Sequence, residues 1–242
     1  MKKTALCLLL FVHLFSCQTE REVPVTIDPG SVRYMHQLES SMNDIIVYDI
    51  FSAPVASRIY AYSSLAAFEA VRWIDPSYPS LAKQLNGFGP MPVPERGKEY
   101  DFRVAAVRAF FNITQKLTFT KDSVVTVQER ILNELKAASS ESIYERSIAF
   151  GEQVADSIMA CAGKDHYKEI QGMPRYTLRD EDGRWKTTPP DYLDAVQSFW
   201  NKMTPMVMDM CQPIIAAMDK WVIAMIIMQP LTPAQEKYAA TE

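Results

Sequence analysis

Pro54-Val-Ala-Ser-Arg-Ile-Tyr-Ala-Tyr-Ser-Ser-Leu-Ala-Ala-Phe-Glu-Ala-Val-Arg-Trp73 is the stretch on which the fold turns. Val55, Ile59, Tyr62 and Ala66 return at the three- and four-residue spacing of a helix face, and Leu65, Phe68 and Arg72 form a neighbouring stripe. Ala61, Ala66, Ala67 and Ala70 are small enough for another helix to approach closely. Ser52 followed by Pro54 marks the start, because proline is tolerated in a first turn whose N–H groups lack partners anyway. Asp75-Pro76 marks the stop. A helix with two apolar stripes needs other helices to cover them, so the reading moves outward in search of those.

Towards the N-terminus, Leu38, Met42, Ile45, Ile46 and Ile50 give helical spacing from Gln37 to Phe51. Towards the C-terminus, residues 86–97 hold Gly87, Gly89, Gly97, Pro90, Pro92 and Pro94 and read as a loop. Glu99 to Phe119 is helical again, with Phe102, Ala105, Ala106, Ala109, Phe110 and Ile113 spaced for burial. Thr120-Lys-Asp-Ser123 starts the next helix, in which Val127, Ile131, Leu132 and Leu135 share a face up to Ala138. Ser139-Ser140 caps a further helix that runs to Ala162 and ends at Gly163. At least five helices therefore follow in series, with several connections short enough for antiparallel neighbours.

The pattern changes after Lys164. Arg175 to Leu178 and Arg184 to Thr187 flank Asp180-Glu-Asp-Gly183, which predicts a two-stranded hairpin with Gly183 near its turn. Pro189-Pro190 predicts another short helix through Trp200. The expected fold class is all-α: a multi-helix bundle with one short β-hairpin near 175–187. Beyond it, seven of the thirteen methionines lie between Met203 and Met228. Trp221 to Met228 is continuously apolar but too short for a membrane span, which needs about 20 such residues.

The first residues read as an export signal. Lys2 and Lys3 precede the apolar run Ala5–Phe15, and Leu14-Phe-Ser-Cys17 resembles a lipobox. The expectation is a signal peptide over 1–16, lipidation at Cys17 and a linker over 17–35 that carries Pro24, Pro29 and Gly30. Several acyl chains at Cys17 would hold the protein stably at a membrane surface, whereas one would not. The expected place is the bacterial cell envelope, facing periplasm or cell surface. Removing the first sixteen residues leaves 226, with 23 Lys and Arg against 29 Asp and Glu and a net charge of −6. That balance argues against a nucleic-acid partner, which requires a basic face.

Four cysteines are present: Cys7 in the signal, Cys17, Cys161 and Cys211. The last two read as isolated thiols rather than a pair. No Cys-x-x-Cys or His-x-x-x-His spacing suggests a metal site, and outside the signal the histidines are His36 and His166. Tyr60, Tyr62, Phe68 and Trp73 could line a channel, but aromatic residues at helical spacing are mostly core. Asp180, Glu181 and Asp182 read as a solvated turn, since calcium loops alternate their oxygen ligands. Trp185 and Trp200 could form a sugar platform and more simply staple the hairpin onto the helices. Asp165 and His166, as chain neighbours, are poorly placed to act together as acid and base. Asn112-Ile-Thr114 matches a glycosylation acceptor within a helix.

Several ordered stretches resemble the vanadium-dependent haloperoxidases, in particular lipoprotein members related to PAP2-type acid phosphatases. They are Arg58-Ile-Tyr-Ala-Tyr-Ser-Ser-Leu-Ala-Ala-Phe-Glu-Ala70, Tyr78-Pro-Ser-Leu-Ala-Lys-Gln-Leu85 and Phe150-Gly-Glu-Gln-Val-Ala-Asp156. Asp165-His-Tyr167, Arg175-Tyr-Thr177, Gly183-Arg-Trp-Lys-Thr-Thr-Pro-Pro-Asp-Tyr192 and Trp200-Asn-Lys-Met-Thr-Pro-Met206 continue the series. The likeness covers about residues 35–209.

The resemblance implies a helical bundle whose second, C-terminal unit holds vanadate, or phosphate in the phosphatases. Such a pocket neutralises a multiply charged oxyanion with Arg and Lys, and uses one histidine on the central atom and another as acid or base. The family supplies these as a Lys followed by Arg-Pro, then Pro-Ser-Gly-His, then an Arg with a later His. The 242 residues contain no Arg-Pro, Ser-Gly or Gly-His pair. No catalytic, cofactor-binding or metal residue carries over, and Cys17 is the one site residue assigned.

The organisation expected is therefore a signal at 1–16, a lipidated linker at 17–35, a helical domain at 36–209 and an atypical methionine-rich tail at 210–242. The implied function is the N-terminal helical part of a haloperoxidase-like lipoprotein, truncated or frameshifted near residue 210 and inactive alone. Its partners would be the membrane through Cys17 and either a missing C-terminal half or a second copy. The alternative is a non-catalytic surface lipoprotein that binds a glycan or a protein.

Overall fold

The computed structural model describes residues 32–207. Six α-helices are present among them: α1 Val32–Tyr48, α2 Ala53–Val71, α3 Phe102–Leu117, α4 Lys121–Lys136, α5 Glu141–Ala162 and α6 Tyr167–Gln171. The first five match the helices read from apolar spacing. The differences lie at their ends, and α1 begins at Val32, inside the expected linker. Short 3-10 turns follow α2 at Arg72–Ile74 and form at Leu81–Gln84 and Trp200–Lys202. The signal peptide, Cys17, Cys211 and the tail from 210 lie outside the described residues. Among the described residues no helix is long and apolar enough to cross a membrane.

Helix α3 is the centre of the bundle and touches α1, α2, α4 and α5. Its sequence explains this, because apolar side chains surround it: Val104, Ala105, Ala109, Phe110, Phe111 and Ile113 are all fully buried. Phe110 and Phe111 meet edge to face at 5.6 Å. Burying a side chain of that size contributes about 1.5–3 kcal/mol. The small residues of α2 do what their size predicts, and Ala66, Ala67 and Ala70 are fully buried. Helix α5 reaches α3 at Gly151, where a Cβ would strike the Ala105 carbonyl oxygen and stand 3.0 Å from the Arg108 Cβ.

The joints follow local chemistry. Asp101 caps α3 by accepting from the Arg103 N–H at 3.0 Å and is held by the Arg103 guanidinium at 2.7 and 2.9 Å. At the end of α1, Phe51 N–H donates to Ile46 O at 3.1 Å and Ile50 N–H to Val47 O at 3.2 Å. That paired return is the helix-ending arrangement that normally places glycine in the left-handed region. Here the residue is Ile50, with φ of 55°.

Two expectations fail after α6. Residues 175–187 form no strands. The chain does reverse there, with Arg184 N–H donating to Glu181 O at 3.2 Å and Gly183 at φ of 75°. Tyr176 and Trp185 meet edge to face at 5.8 Å across the turn. No backbone ladder joins the two arms, because neither arm has a buried face to hold a register, and an isolated two-stranded hairpin is marginal in water. Residues 189–199 likewise form turns rather than a helix; Tyr192 and Gln197 sit at positive φ, which breaks the helical path.

Candidate functional site

The most strongly organised polar cluster joins α2 to the end of α5. Arg58 and Tyr62 lie one turn apart on the buried stripe of α2, where a cation is costly unless paired. Its partner is Asp165, just beyond α5. Arg58 Nε donates to Asp165 Oδ2 at 2.6 Å, with the two side chains only 8% and 5% exposed. A second Arg58 nitrogen donates to Ala162 O at 3.0 Å, satisfying a carbonyl at the end of α5. Tyr62 Oη donates to the same Asp165 oxygen at 3.0 Å. Asp165 Oδ1 accepts from the Tyr167 N–H at 2.9 Å and so caps α6. The guanidinium lies between two rings, 4.4 Å from that of Tyr167 and 5.1 Å from that of Tyr62.

Burial, then the adjacent Asp165 charge, pushes the Tyr62 phenol far above its ordinary value, so it stays a hydrogen-bond donor across the working pH range. Burial also raises Tyr167, while Arg58 opposes the shift. The cluster is thus a neutralised ion pair with two un-ionised phenols.

A second buried carboxylate lies at the other end of α2. Glu69 is 1% exposed. It accepts from Arg72 Nε at 2.9 Å, Ser80 Oγ at 3.0 Å, Leu81 N–H at 2.8 Å and Ala82 N–H at 3.3 Å. It therefore holds the 81–84 turn against α2, and all of its partners belong to the scaffold.

Between α5, the 86–88 loop and residues 204–206 is a pocket of about 20 Å³ bordered by Tyr62, Phe88, Cys161, Lys164, Thr204 and Met206. That volume accommodates roughly one water. Segment 204–206 closes over it. Asn86 N–H donates to Met206 O at 2.8 Å, Asn86 Nδ2 to Pro205 O at 3.1 Å and Thr204 N–H to Asp165 O at 3.1 Å.

The residues weighed from sequence fall as follows. Asp165 and His166 diverge: the aspartate points inward at Arg58, and the exposed histidine, at φ of 67°, bonds through Nδ1 to Thr204 Oγ1 at 3.1 Å. His36 is exposed on α1. Tyr62 is core, while Tyr60 is half-buried and donates to Asn43 at 2.8 Å. Trp200 packs on Tyr167 of α6 and Trp185 on Tyr176, so the two indoles belong to different contacts. Asp180 and Glu181 are exposed and pair with Lys186 and Arg184, as suits a solvated turn. The Asn112 carboxamide oxygen and Thr114 are both buried, which closes the glycosylation acceptor. Cys161 is a free, half-buried thiol.

Sequence reasoning missed Arg58, Glu69 and Asp165 as an organised set. A signal for the first two was present, since both fall on the apolar stripes of α2, at Tyr62 minus four and Leu65 plus four. Nothing local marks the buried pairing of Asp165, whose partners Arg58 and Tyr62 lie 107 and 103 residues away.

The most deeply placed of the described cations are paired with carboxylates of the protein itself. Arg58, the buried one, is neutralised by Asp165, and Arg72 by Glu69. Arg108 pairs with Glu152 and Lys116 with Asp156.

No protein-family model matches the chain, and no curated protein matches it. A solved structure does match: the crystal structure of the first bacterial vanadium-dependent iodoperoxidase, at 36% identity with a TM-score of 0.68. The match covers 78% of this chain and 45% of that one, so the chain spans less than half the length of the protein it resembles. The chain has a haloperoxidase-like helical fold.

Proposed function

We propose that this chain is the N-terminal helical part of a vanadium-dependent haloperoxidase-like exported lipoprotein, and that it supplies scaffold rather than the oxyanion pocket. The observation that carries the reading is the match to the iodoperoxidase at 36% identity over 45% of that chain. The best-organised polar groups, Arg58–Asp165 and Glu69–Arg72, hold helices and turns together and leave no charge for a bound anion. Vanadate belongs to the complete haloperoxidase-like protein, where it would activate peroxide towards halide. Its ligands are residues other than those described. Lipidation at Cys17 would tether the unit to the cell envelope, with the membrane as its first partner.

The test is turnover. The purified chain, supplied with vanadate, hydrogen peroxide and iodide or bromide, is expected to give no halide oxidation above the uncatalysed rate. A phosphate-ester assay is likewise expected to show none. Saturable turnover in either assay would overturn the reading. Mass spectrometry of the chain expressed in a lipoprotein-processing bacterium is expected to show acylation at Cys17; an unmodified or uncleaved N-terminus would remove the tether.

A further inference from the structure

Val47, Tyr48, Ile50 and Phe119 are 70%, 75%, 88% and 76% exposed, and they form one apolar tip where α1 ends and α3 passes into α4. The tip is fixed from below. Asp49 accepts from the Phe119 N–H at 2.8 Å, the Thr120 N–H at 3.1 Å and the Thr120 hydroxyl, which ties the two joints together. Phe119 also stacks on Phe51 at 4.8 Å. Large apolar side chains are thus ordered and presented outward, where their contact with water is unfavourable.

Ile50 shows this most plainly. It takes the left-handed place at the end of α1, with φ of 55°, where glycine would sit without strain. A branched Cβ disfavours that conformation. An exposed isoleucine there neither packs the core nor eases the turn, so its use lies outside the bundle.

Side chains exposed to this degree project from the surface rather than line a cleft. A stable protein interface takes about 20–30 residues a side, so four projecting side chains are too few to hold a second copy or a protein partner. A lipid bilayer asks for less. Its acyl boundary closes around projecting apolar groups, and an aromatic ring with a polar end, such as Tyr48, settles at headgroup level. Asp44, Lys116, Lys121 and Asp122 flank the tip in sequence and carry no net charge, and Asp49 is occupied by the joint. Apolar contact rather than attraction to anionic lipid would therefore do the binding.

So small a contact is weak alone, but a lipid already at Cys17 makes it intramolecular. Cys17 and Val32 are 15 residues apart, a length of chain that spans at most about 50 Å. Helix α1, of 17 residues, is about 25 Å long, so its far end lies within reach of the anchored membrane.

We infer that Val47, Tyr48, Ile50 and Phe119 insert into the bilayer surface and orient the tethered bundle with its α1–α4 joint facing the membrane. The inference rests on the lipidation proposed above.

The test uses the full chain, purified with its lipid from a lipoprotein-processing bacterium. It is reconstituted in vesicles of phosphatidylethanolamine and phosphatidylglycerol, with or without bromine on the acyl chains. Tyr48→Trp places an indole in the tip, and subtracting the parent chain isolates its fluorescence from that of the native tryptophans. Brominated lipid is expected to quench the added indole at least twofold. Leu178→Trp, on the exposed 172–207 segment, is expected to be quenched little. Adding Val47→Asp and Ile50→Asp to Tyr48→Trp is expected to abolish the quenching while the circular dichroism stays unchanged, since both positions are exposed.

An acylated chain whose added indole is quenched no more with bromine than without it would overturn the inference and leave the lipidation standing. So would equally strong quenching of the Leu178→Trp chain, or quenching that survives V47D/I50D. A chain found by mass spectrometry to lack the lipid would overturn the inference together with the tether.

Discussion

Replacing Asp165 by alanine is the perturbation with the clearest expected size. It leaves the Arg58 guanidinium 8% exposed and without the carboxylate that now stands 2.6 Å from its Nε. It also strands the Tyr62 hydroxyl and uncaps the Tyr167 N–H. An exposed ion pair is worth about 0–1 kcal/mol, but removing one partner of a buried pair costs about 3–5 kcal/mol, because the remaining charge stays desolvated. The lost phenol and N–H bonds fall within that range, since the three donors share one carboxylate. A drop of about 4 kcal/mol is a large fraction of the 5–15 kcal/mol typical of a domain.

Urea unfolding followed by far-ultraviolet circular dichroism reads the loss directly. With a slope of about 2 kcal/mol per molar, the midpoint is expected to fall by about 2 M. The specific signature lies in a double-mutant cycle. Arg58→Met with Asp165→Leu removes both charges, and it is expected to be at least about 2 kcal/mol more stable than the sum of the two single replacements implies. The exposed Lys116–Asp156 pair is the internal control, and Lys116→Ala is expected to cost less than about 1 kcal/mol. A cost below about 1 kcal/mol for Asp165→Ala, or additivity of the two replacements, would refute the claim that this pair clamps α2 to the end of α5.

Three further outcomes follow from the geometry. Gly151→Val is expected to destabilise by at least about 1–3 kcal/mol, because the added side chain strikes Ala105 of α3; differential scanning calorimetry would show the fall in melting temperature. Ile50→Gly is expected to stabilise by about 0.5–1 kcal/mol in urea, since Ile50 is 88% exposed and holds a left-handed conformation that its branched Cβ disfavours. At Asp49 burial raises the carboxyl pKa, but bonds from the Thr120 hydroxyl and the Phe119 and Thr120 N–H groups outweigh it and leave a value below the ordinary 3.8. The stability it contributes is fully present above 3.8 and is lost as pH falls through the depressed value, so acid unfolding should weaken the α1–α4 joint. Asp49→Asn is expected to flatten that part of the pH profile, read by hydrogen exchange at Phe119 and Thr120.

How much of this was legible in the sequence varies along the chain for physical reasons. Helices α1 to α5 were readable because each buries a stripe, and a buried stripe imposes a 3.6-residue period on the residues that form it. Their ends were readable where a punctuating residue stands, as at the Pro54 start and the Gly163 stop, and less so at Ile50, which takes a glycine's place. The 175–187 hairpin was misread because a Gly-containing turn between two short β-prone arms specifies only a reversal. Pairing needs a face to bury, and Leu178 and Trp185 remain exposed. The Arg58–Asp165 pair was illegible because charge pairing across about a hundred residues leaves no local period. What betrays it locally is a cation on an apolar helix stripe, which implies a partner without naming one.

That distinction bears on what the scaffold can do. A site for a multiply charged oxyanion requires positive charge left over after the protein's own carboxylates are satisfied. Here the most deeply placed cations are spent on internal pairing: Arg58 on Asp165, Arg72 on Glu69 and Arg103 on Asp101. Each pair also secures a junction, respectively the end of α5, the 81–84 turn and the start of α3. Freeing any of these cations for a ligand would loosen the junction it holds, so the charge cannot serve both purposes in the same fold. On the function proposed above, these three cations serve the scaffold and the oxyanion-binding charge is supplied by other residues.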